Sequence, residues 1–195
     1  LILSSFILLI IVILIYLSLF GLETNRFNKI ISEKIKENYP ELNVEFSNVK
    51  VLLKPSNLSI DVLAKDSKII IKDKNLKLKK ISTNYSITSF FKKNFGIRNL
   101  ILDTEYNQFK DVLKLARNFK DGPELLILDK ISESGKLYIN AKINLDQRGQ
   151  IKNNYIISGE IKDLSLNLLN KEKVSNINFK FNHKENKTNL YEAFF

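Results

Sequence analysis

The sequence predicts a mainly β protein with a few helices: an N-terminal transmembrane helix, a short amphipathic helix, and an antiparallel meander that curls into a groove-like sheet. Three observations support this fold class. Residues 1–22 carry no charge, and all 31 basic and 21 acidic residues follow them. Between residues 24 and 39, apolar side chains recur at helical spacing. From residue 42 onwards, apolar and polar residues alternate in short runs between turn-forming residues, which is typical of antiparallel strands.

Segment 1–22 is predicted to be an uncleaved transmembrane anchor. Seventeen of its residues are Leu, Ile, Val or Phe, and as a helix it reaches about 33 Å, more than a hydrocarbon core of roughly 30 Å. A cleaved signal peptide has an apolar stretch of only about 7–15 residues and a small-residue cleavage site. The chain contains no Met and ends within an apolar pattern at Phe194-Phe195, so we expect it to be part of a longer protein.

Segment 23–40 is predicted to be a juxtamembrane amphipathic helix. Thr24 suits the N-cap, and Tyr39-Pro40 ends the helix because proline disfavours the helical conformation of the residue before it. The apolar positions of one face are Phe27, Ile30, Ile31 and Ile35. The other face mixes acidic and basic side chains, which favours a helix that caps the sheet over one that lies on the membrane. Both positions remain open.

Residues 41–195 are predicted to form one β-rich domain of about ten short strands. Helices are expected at 86–94 and at 107–119, and Gly122-Pro123 is expected to close the second one. The predicted turns are Pro55-Ser56-Asn57, Lys65-Asp66-Ser67, Asp73-Lys74-Asn75, Asp146-Gln147-Arg148-Gly149, Asp163 and Lys171-Glu172-Lys173. Each strand then has one apolar and one polar face, as in a sheet with a single wet side.

The clearest alternation lies in the strand 137–145 and in the segment 151–161 that returns beside it. Two short helices are too few to cover about ten strands, so we expect the apolar face of the sheet to form a groove. The residues predicted to line it are Leu137, Ile139, Ile143, Leu145, Tyr155, Ile157 and Ile161. A closed sandwich or barrel core would use the same residues, and for any single residue that alternative is equally open.

Residues with catalytic chemistry are scarce. His183 is the only histidine and is expected to be an exposed residue in a turn; cysteine is absent and the six glycines are isolated. Asp103 and Glu105 are two residues apart on one strand, but a solvated outer face explains them more simply. We therefore predict a protein that is not an enzyme, with no catalytic residues, no metal site and no cofactor.

The net charge of +10 suits a surface that faces anionic lipid headgroups or nucleic acid. The densest basic run is Lys72–Lys80, where Lys77 and Lys79 alternate with leucines as on the wet face of a half-buried strand. Aromatic residues do not interleave with these lysines, and an anchor precedes them. Nucleic acid is therefore not an expected partner.

In the order and spacing of its features, the chain resembles the N-terminal region of the AsmA-like family of Gram-negative bacteria, which includes the YhdP and TamB types. The resemblance depends on the apolar helix, the amphipathic helix, the strand that runs into Pro55 (VKVLLKPSNLSIDV), and the strand after Gly96 (GIRNLILD). Members of that family are held in the inner membrane with their β-rich part in the periplasm, and they resemble bridge-like lipid transfer proteins.

The resemblance implies a single-pass protein of the bacterial inner membrane that moves phospholipid, or supports outer-membrane biogenesis, through an apolar β-groove. Its partners would be membrane phospholipids and possible further envelope proteins. The alternative function is a membrane-anchored structural or interaction scaffold for envelope protein assembly, which would bind partners by strand addition at its open sheet edges.

Overall fold

A computed structural model of the chain describes residues 2–23, 28–29, 32–33, 36, 40, 42–71, 74–91, 96–119, 122–146, 148, 150, 152–168, 172–184 and 187–194. Within these residues, eleven strands form one antiparallel sheet, which confirms the mainly β fold class with few helices. The strands are β1 (Leu22–Glu23), β2 (Leu42–Glu45), β3 (Asn48–Lys54), β4 (Ser59–Ile71), β5 (Lys74–Ser86), β6 (Ile97–Thr104), β7 (Asn107–Gln108), β8 (Ser132–Asn144), β9 (Ile156–Asn167), β10 (Lys173–Lys184) and β11 (Lys187–Phe194).

The strands follow one another as the predicted meander. Their order across the sheet is β1-β3-β4-β5-β6-β8-β9-β10-β11, with β2 paired to β4 and β7 paired to β8. Strands β2 and β3 share one edge of β4, because β3 pairs with its first half and β2 with its last four residues. The α-helices with described bounds are α1 (Ile2–Leu19), α2 (Ile87–Phe91), α3 (Phe109–Phe119) and α4 (Pro123–Ile131), and a short 3-10 helix, Pro55–Asn57, connects β3 to β4.

Helix α1 lies within the predicted membrane anchor. It has 18 residues and no charged side chain. In the described part of the chain, no helix combines the length and the apolarity that crossing a membrane requires. Thirteen large hydrophobic side chains of α1 are exposed, from 40% at Leu14 to 73% at Leu3.

Most of the predicted juxtamembrane helix, including its cap Thr24 and its four apolar positions, lies outside the described residues. The described residues Asn28, Lys29, Ser32, Glu33 and Lys36 are helical. The Asn28 side-chain amide donates a hydrogen bond to the carbonyl of Phe46 (2.9 Å), and the Ser32 hydroxyl donates one to the carbonyl of Val44 (2.5 Å). These contacts place this part of the segment against the sheet at β2.

The turns predicted at Lys65-Asp66-Ser67 and at Asp163 are wrong, because both positions lie inside long strands, β4 and β9. Asp66 and Asp163 have positive φ angles of 47° and 51°, which aspartate tolerates better than most residues. The chain therefore bends at these residues without leaving the sheet. At Asp66 the bend coincides with the change of neighbouring strand from β3 to β2.

A line of such bends crosses the sheet at one end. Gly135 in β8, Asp163 in β9 and Asn176 in β10 all have positive φ, and the strand register shifts beside each of them. Glycine is required at 135, where φ is 146° and a Cβ would lie 3.1 Å from the Leu164 Cα. Bulges of this kind bend the strand and increase its twist.

The prediction that Gly122-Pro123 closes a helix is correct for the end of α3 but misses the helix that comes next. Pro123 begins this second helix, α4, with Gly122 as its extended N-cap. The first position of a helix tolerates proline because its N–H would have no intrahelical partner there. The sheet therefore has two consecutive helices on it between β7 and β8, where the sequence predicted one.

Candidate functional site

Paired residues of neighbouring antiparallel strands lie on the same face of the sheet, so the register defines two faces. We call the face that carries Leu137 the apolar face. In β8 the apolar face continues through Ile139, Ala141 and Ile143 by alternation. The opposite face, which we call the polar face, carries Lys136, Tyr138, Asn140 and Lys142 in the same strand.

One end of the apolar face is covered by helices. Phe109 and Leu113 of α3 pack on Leu137, Ile161 and neighbouring residues, all of them 8% exposed or less. Leu125 and Leu128 of α4 pack against this cluster from its rim. We call this part of the sheet the covered end.

An ion pair joins the two covering helices. The Arg117 Nη1 lies 2.9 Å from the Asp129 Oδ2, and the Asp129 side chain is only 13% exposed. A second ion pair, between Lys74 and Asp111 at 3.2 Å, joins α3 to β5. These two ion pairs hold α3 and α4 in place over the sheet.

The apolar face continues beyond the helices. One row of paired residues crosses six strands: Leu22, Val51, Val62, Thr83, Leu100 and Ile143. Five of these residues are partly exposed and Leu22 is 47% exposed. The main sheet contacts of the described helices are those of α3 with β5, β7 and β8, of α2 with β4, and of α1 with β3. We call this part of the apolar face the open half.

The open half adjoins α1. Leu22 follows α1 by three residues and pairs with Val51, so the row of the open half begins where α1 ends. Helix α1 also packs along β3. The covered end lies towards the opposite ends of the strands, since α3 packs on Leu137 and pairs with Lys74 of β5, while the open row contains Ile143 and Thr83. The uncovered apolar surface is thus nearest to the exposed apolar helix.

The seven predicted groove residues are divided between these two regions. Leu137 and Ile161 are buried in the cluster under α3, and Ile139 packs against that cluster. Ile143 belongs to the open row, and Ile157 pairs with Ala141 next to it. Leu145 is partly exposed and bound through its N–H to the Arg98 carbonyl at 2.8 Å. Leu137 and Ile161 are therefore core residues that pack under α3, while Ile143, Leu145 and Ile157 lie outside the covered end.

Tyr155 and His183 differ from the prediction. Tyr155 lies before β9, which begins at Ile156, and the preceding predicted position Ile151 is outside the described residues. His183 is not in a turn: it lies in β10, is partly buried, and pairs with Ile157. Its ring stacks on Tyr155 at 5.6 Å, its Nε2 lies 3.1 Å from the Tyr155 hydroxyl, and its Nδ1 lies 2.8 Å from the Thr188 hydroxyl.

The polar face carries a hydrogen-bonded network of two tyrosines. The Tyr138 hydroxyl donates to the Asp103 carboxylate at 2.7 Å, and the Tyr106 hydroxyl donates to Glu160. The bond to Asp103 raises the pKa of Tyr138, and burial adds to the rise. The Lys162 Nζ lies 4.7 Å from the Tyr106 ring centre, and its hydrogen bond to Tyr106 raises the pKa of Lys162.

This network gives Asp103 a structural partner. Glu105 is exposed and lies beyond the end of β6, so the two carboxylates do not stand side by side on the strand. Among the described residues, no group of three His, Cys, Asp or Glu side chains is close enough to hold a metal ion.

The basic run of β5 alternates as predicted: Leu78 is 1% exposed, whereas Lys77 and Lys79 are exposed.

Sequence reasoning missed the contribution of α4 to the cover. Its signals were present: Pro123 at the first helical position, Glu124 in the first turn and Lys130 in the last turn. Acidic residues at the start and basic residues at the end of a helix complement its dipole. Leu125 and Leu128, three residues apart, give the segment one apolar edge.

No protein-family model matches this chain, and neither does any curated protein or solved structure. Any proposal about its function therefore depends on its own residues and geometry and on the resemblance in sequence pattern described above.

Proposed function

We propose that this protein is a membrane-anchored lipid-transport protein of the AsmA-like type, held at the bacterial inner membrane with its sheet in the periplasm. In this proposal, α1 is the anchor and the open half of the apolar face binds the acyl chains of phospholipids. The observation that carries the proposal is the position of the open half directly beside α1.

The character of α1 supports its part in this proposal. At 1.5 Å per residue its 18 residues extend about 27 Å, which is most of a hydrocarbon core of roughly 30 Å. Thirteen of its large apolar side chains are exposed, and water solvates such a surface poorly. A lipid environment removes that cost without requiring a protein partner.

The open half supports the transport part. Its row from Val51 to Ile143 spans five neighbouring strands, about 19 Å at roughly 4.8 Å per strand. Each lipid CH₂ group buried on such a surface contributes about 0.8 kcal/mol. Acyl chains can therefore leave the bilayer along an apolar path, while their headgroups remain in water.

Lipid cross-linking tests this function. The full chain is placed in nanodiscs that contain a phospholipid with a photoactivatable acyl chain, and Ile143→Asp is compared with Ile101→Asp. Ile101 lies one position from Leu100 on the polar face, paired with Lys142, so it provides a matched control. We expect Ile143→Asp to lose cross-linking and Ile101→Asp to retain it, with unchanged circular dichroism in both.

Two results would overturn the proposal. Equal cross-linking of the two variants would show that lipid does not contact the open half. Global unfolding of Ile143→Asp alone would show that Ile143 belongs to a closed core.

A second candidate is the envelope-assembly scaffold, and strand β11 favours it. Among the described strands, β11 pairs with β10 alone and forms an edge on which Leu190 is 64% exposed and Tyr191 is 42% exposed. Unpaired strand edges are templates for addition of another strand. A photo-cross-linker at Leu190 that captures protein, combined with no lipid cross-linking at Ile143, would favour the scaffold.

A further inference from the structure

Strand β3 runs back along α1. Gly21, between α1 and β1, has a φ of 71°, and a Cβ there would lie 2.6 Å from the carbonyl oxygen of Val51, so glycine is needed where the chain leaves the helix. Strand β1 then pairs with β3, and β3 packs along α1. Consequently the turn after β3, residues 55–58, lies beside α1 and not beyond its end.

An apolar crevice of about 370 Å³ between the turn and α1 shows how far along the helix the turn lies. Pro55 lines one side, and the other side is formed by Ile11, Leu14, Ile15, Ser18 and Leu19 of α1. From Leu19 back to Ile11 is eight residues, or about 12 Å along the helix axis. The turn therefore lies level with the C-terminal half of α1.

The composition of the turn suits a lipid interface. Pro55, Ser56, Asn57 and Leu58 carry no charge, all four are exposed, and Leu58 is 55% exposed. Backbone bonds hold Leu58 with a φ of 45°: its N–H donates to the Pro55 carbonyl at 3.3 Å, and its carbonyl accepts the Ile87 N–H at 2.9 Å. Lys54 directly precedes the turn, where an ammonium group would meet headgroup phosphates.

We propose that the turn Pro55–Leu58 is a second contact with the lipid bilayer, in which Leu58 enters the interfacial layer beside α1. This inference rests on the proposed function, since it requires α1 to lie in lipid. Elements that lie in the interface bury their apolar side chains about 5–10 Å into the headgroup and acyl boundary, which agrees with the level of the turn along α1.

A second contact with the bilayer would fix the orientation of the sheet, which α1 alone does not. A single helical anchor leaves the sheet free to rotate about the helix axis and to tilt. A second contact at the β3–β4 turn fixes the orientation of β3 and β4 against the membrane. The strand ends of the open half, which begins at Leu22 and Val51, then meet the bilayer surface, where acyl chains enter.

Tryptophan fluorescence tests this contact, because the chain contains no Trp. Three single substitutions, Leu58→Trp, Ile11→Trp and Leu190→Trp, are reconstituted as the full chain into phosphatidylcholine–phosphatidylglycerol vesicles with brominated acyl chains. We expect strong quenching for Ile11→Trp and for Leu58→Trp, and none for Leu190→Trp on the distant edge strand. Bromines near the headgroup should quench Leu58→Trp more than bromines near the chain end.

The outcomes separate the two proposals. Quenching of Ile11→Trp without quenching of Leu58→Trp overturns the second contact and leaves the anchor intact. Absence of quenching at Ile11 overturns the anchor, and the second contact with it. Equal quenching at Leu58 and Leu190 also overturns it, because that result means unspecific adsorption. If Leu58→Trp does not fold, Ser56→Cys with an environment-sensitive fluorophore replaces it, since the chain has no other cysteine.

Discussion

The covered end and the open half belong to one apolar face, yet they differ in what lies over them. At the covered end, Phe109 and Leu113 bury Leu137 and Ile161 to 7% exposure or less. In the open half, Leu100 and Ile143 come from the same kind of alternating strand and stay partly exposed. The strands themselves therefore do not determine whether their apolar side chains form a core or a surface.

The difference arises from where the connection between β7 and β8 returns. This connection contains α3 and α4, and its ion pairs with β5 and between the helices hold it at the covered end. The two helices together comprise only 20 residues and cannot extend over the remaining strands. A surface left in this way is suited to bind an apolar ligand or a partner.

The largest expected effect comes from truncating one leucine in each region. Leu113→Ala at the covered end leaves a cavity under α3 and should lower the free energy of unfolding by about 2–5 kcal/mol. Leu100→Ala in the open half loses burial without leaving an enclosed cavity, and should cost about 1–2 kcal/mol. Urea denaturation of the full chain in detergent measures both. Equal costs would mean that the open half is packed as tightly as the covered end.

A smaller effect is expected at the boundary between the regions. A Cβ on Gly159 would lie 2.4 Å from the Phe181 ring and 2.5 Å from the Tyr138 carbonyl oxygen, so Gly159→Ala must displace both. The cost of such overpacking is about 1–3 kcal/mol. Gly122→Ala is the matched control, because its Cβ would meet only the flexible Glu124 side chain. A Gly159 variant as stable as this control would contradict the packing of Phe181 over β9.

The smallest effect concerns an exposed ion pair at the covered end. Glu133 in β8 and Lys173 in β10 approach to 2.6 Å across β9, and the hydrogen bond from Lys173 lowers the pKa of Glu133. A lowered carboxyl pKa stabilises the folded state at pH values above the ordinary pKa of the group. That stabilisation is lost as the pH falls through the lowered pKa. Lys173→Ala should therefore raise the pKa of Glu133 towards its ordinary value, as measured by NMR titration.

Asp146 provides the control for that titration. The backbone N–H groups of Gln150 and Arg148 lower the pKa of Asp146, and Lys173 has no part in this. Its titration should be the same in both proteins. If the Glu133 pKa also stays the same, the strand register at the bulged end of β8, β9 and β10 is different from the one described.

Much of the fold could be predicted from the sequence, because it depends on the properties of neighbouring residues. Alternation places β2 and β3 on either side of Ser47, and Pro55 ends β3 where predicted. The predictions failed where a residue allows two outcomes. Asp66 and Asp163 favour turns, but their tolerance of positive φ also permits a bend inside a strand. Pro123 favours a helix end before it, but its missing N–H and fixed φ also suit the first position of α4.

The candidate site was predicted less completely than the fold. Alternation identified Leu137, Ile139, Ile143, Ile157 and Ile161 as one apolar surface, and the strand register places them on one face. Alternation has no information about what lies above a face. Phe109 and Leu113 are far from Ile161 along the chain, so only the path of the connecting helices decides which of these residues are buried.

The sequence by itself determined the uncharged apolar helix, the mainly β fold and the division of each strand into an apolar and a polar side, because these depend on the properties of neighbouring residues. Only the tertiary structure decided that the apolar face is covered at one end and open beside α1, and that the turn at Pro55 lies level with α1. Those features depend on contacts between residues distant in sequence, such as Leu22 with Val51 and Leu113 with Leu137.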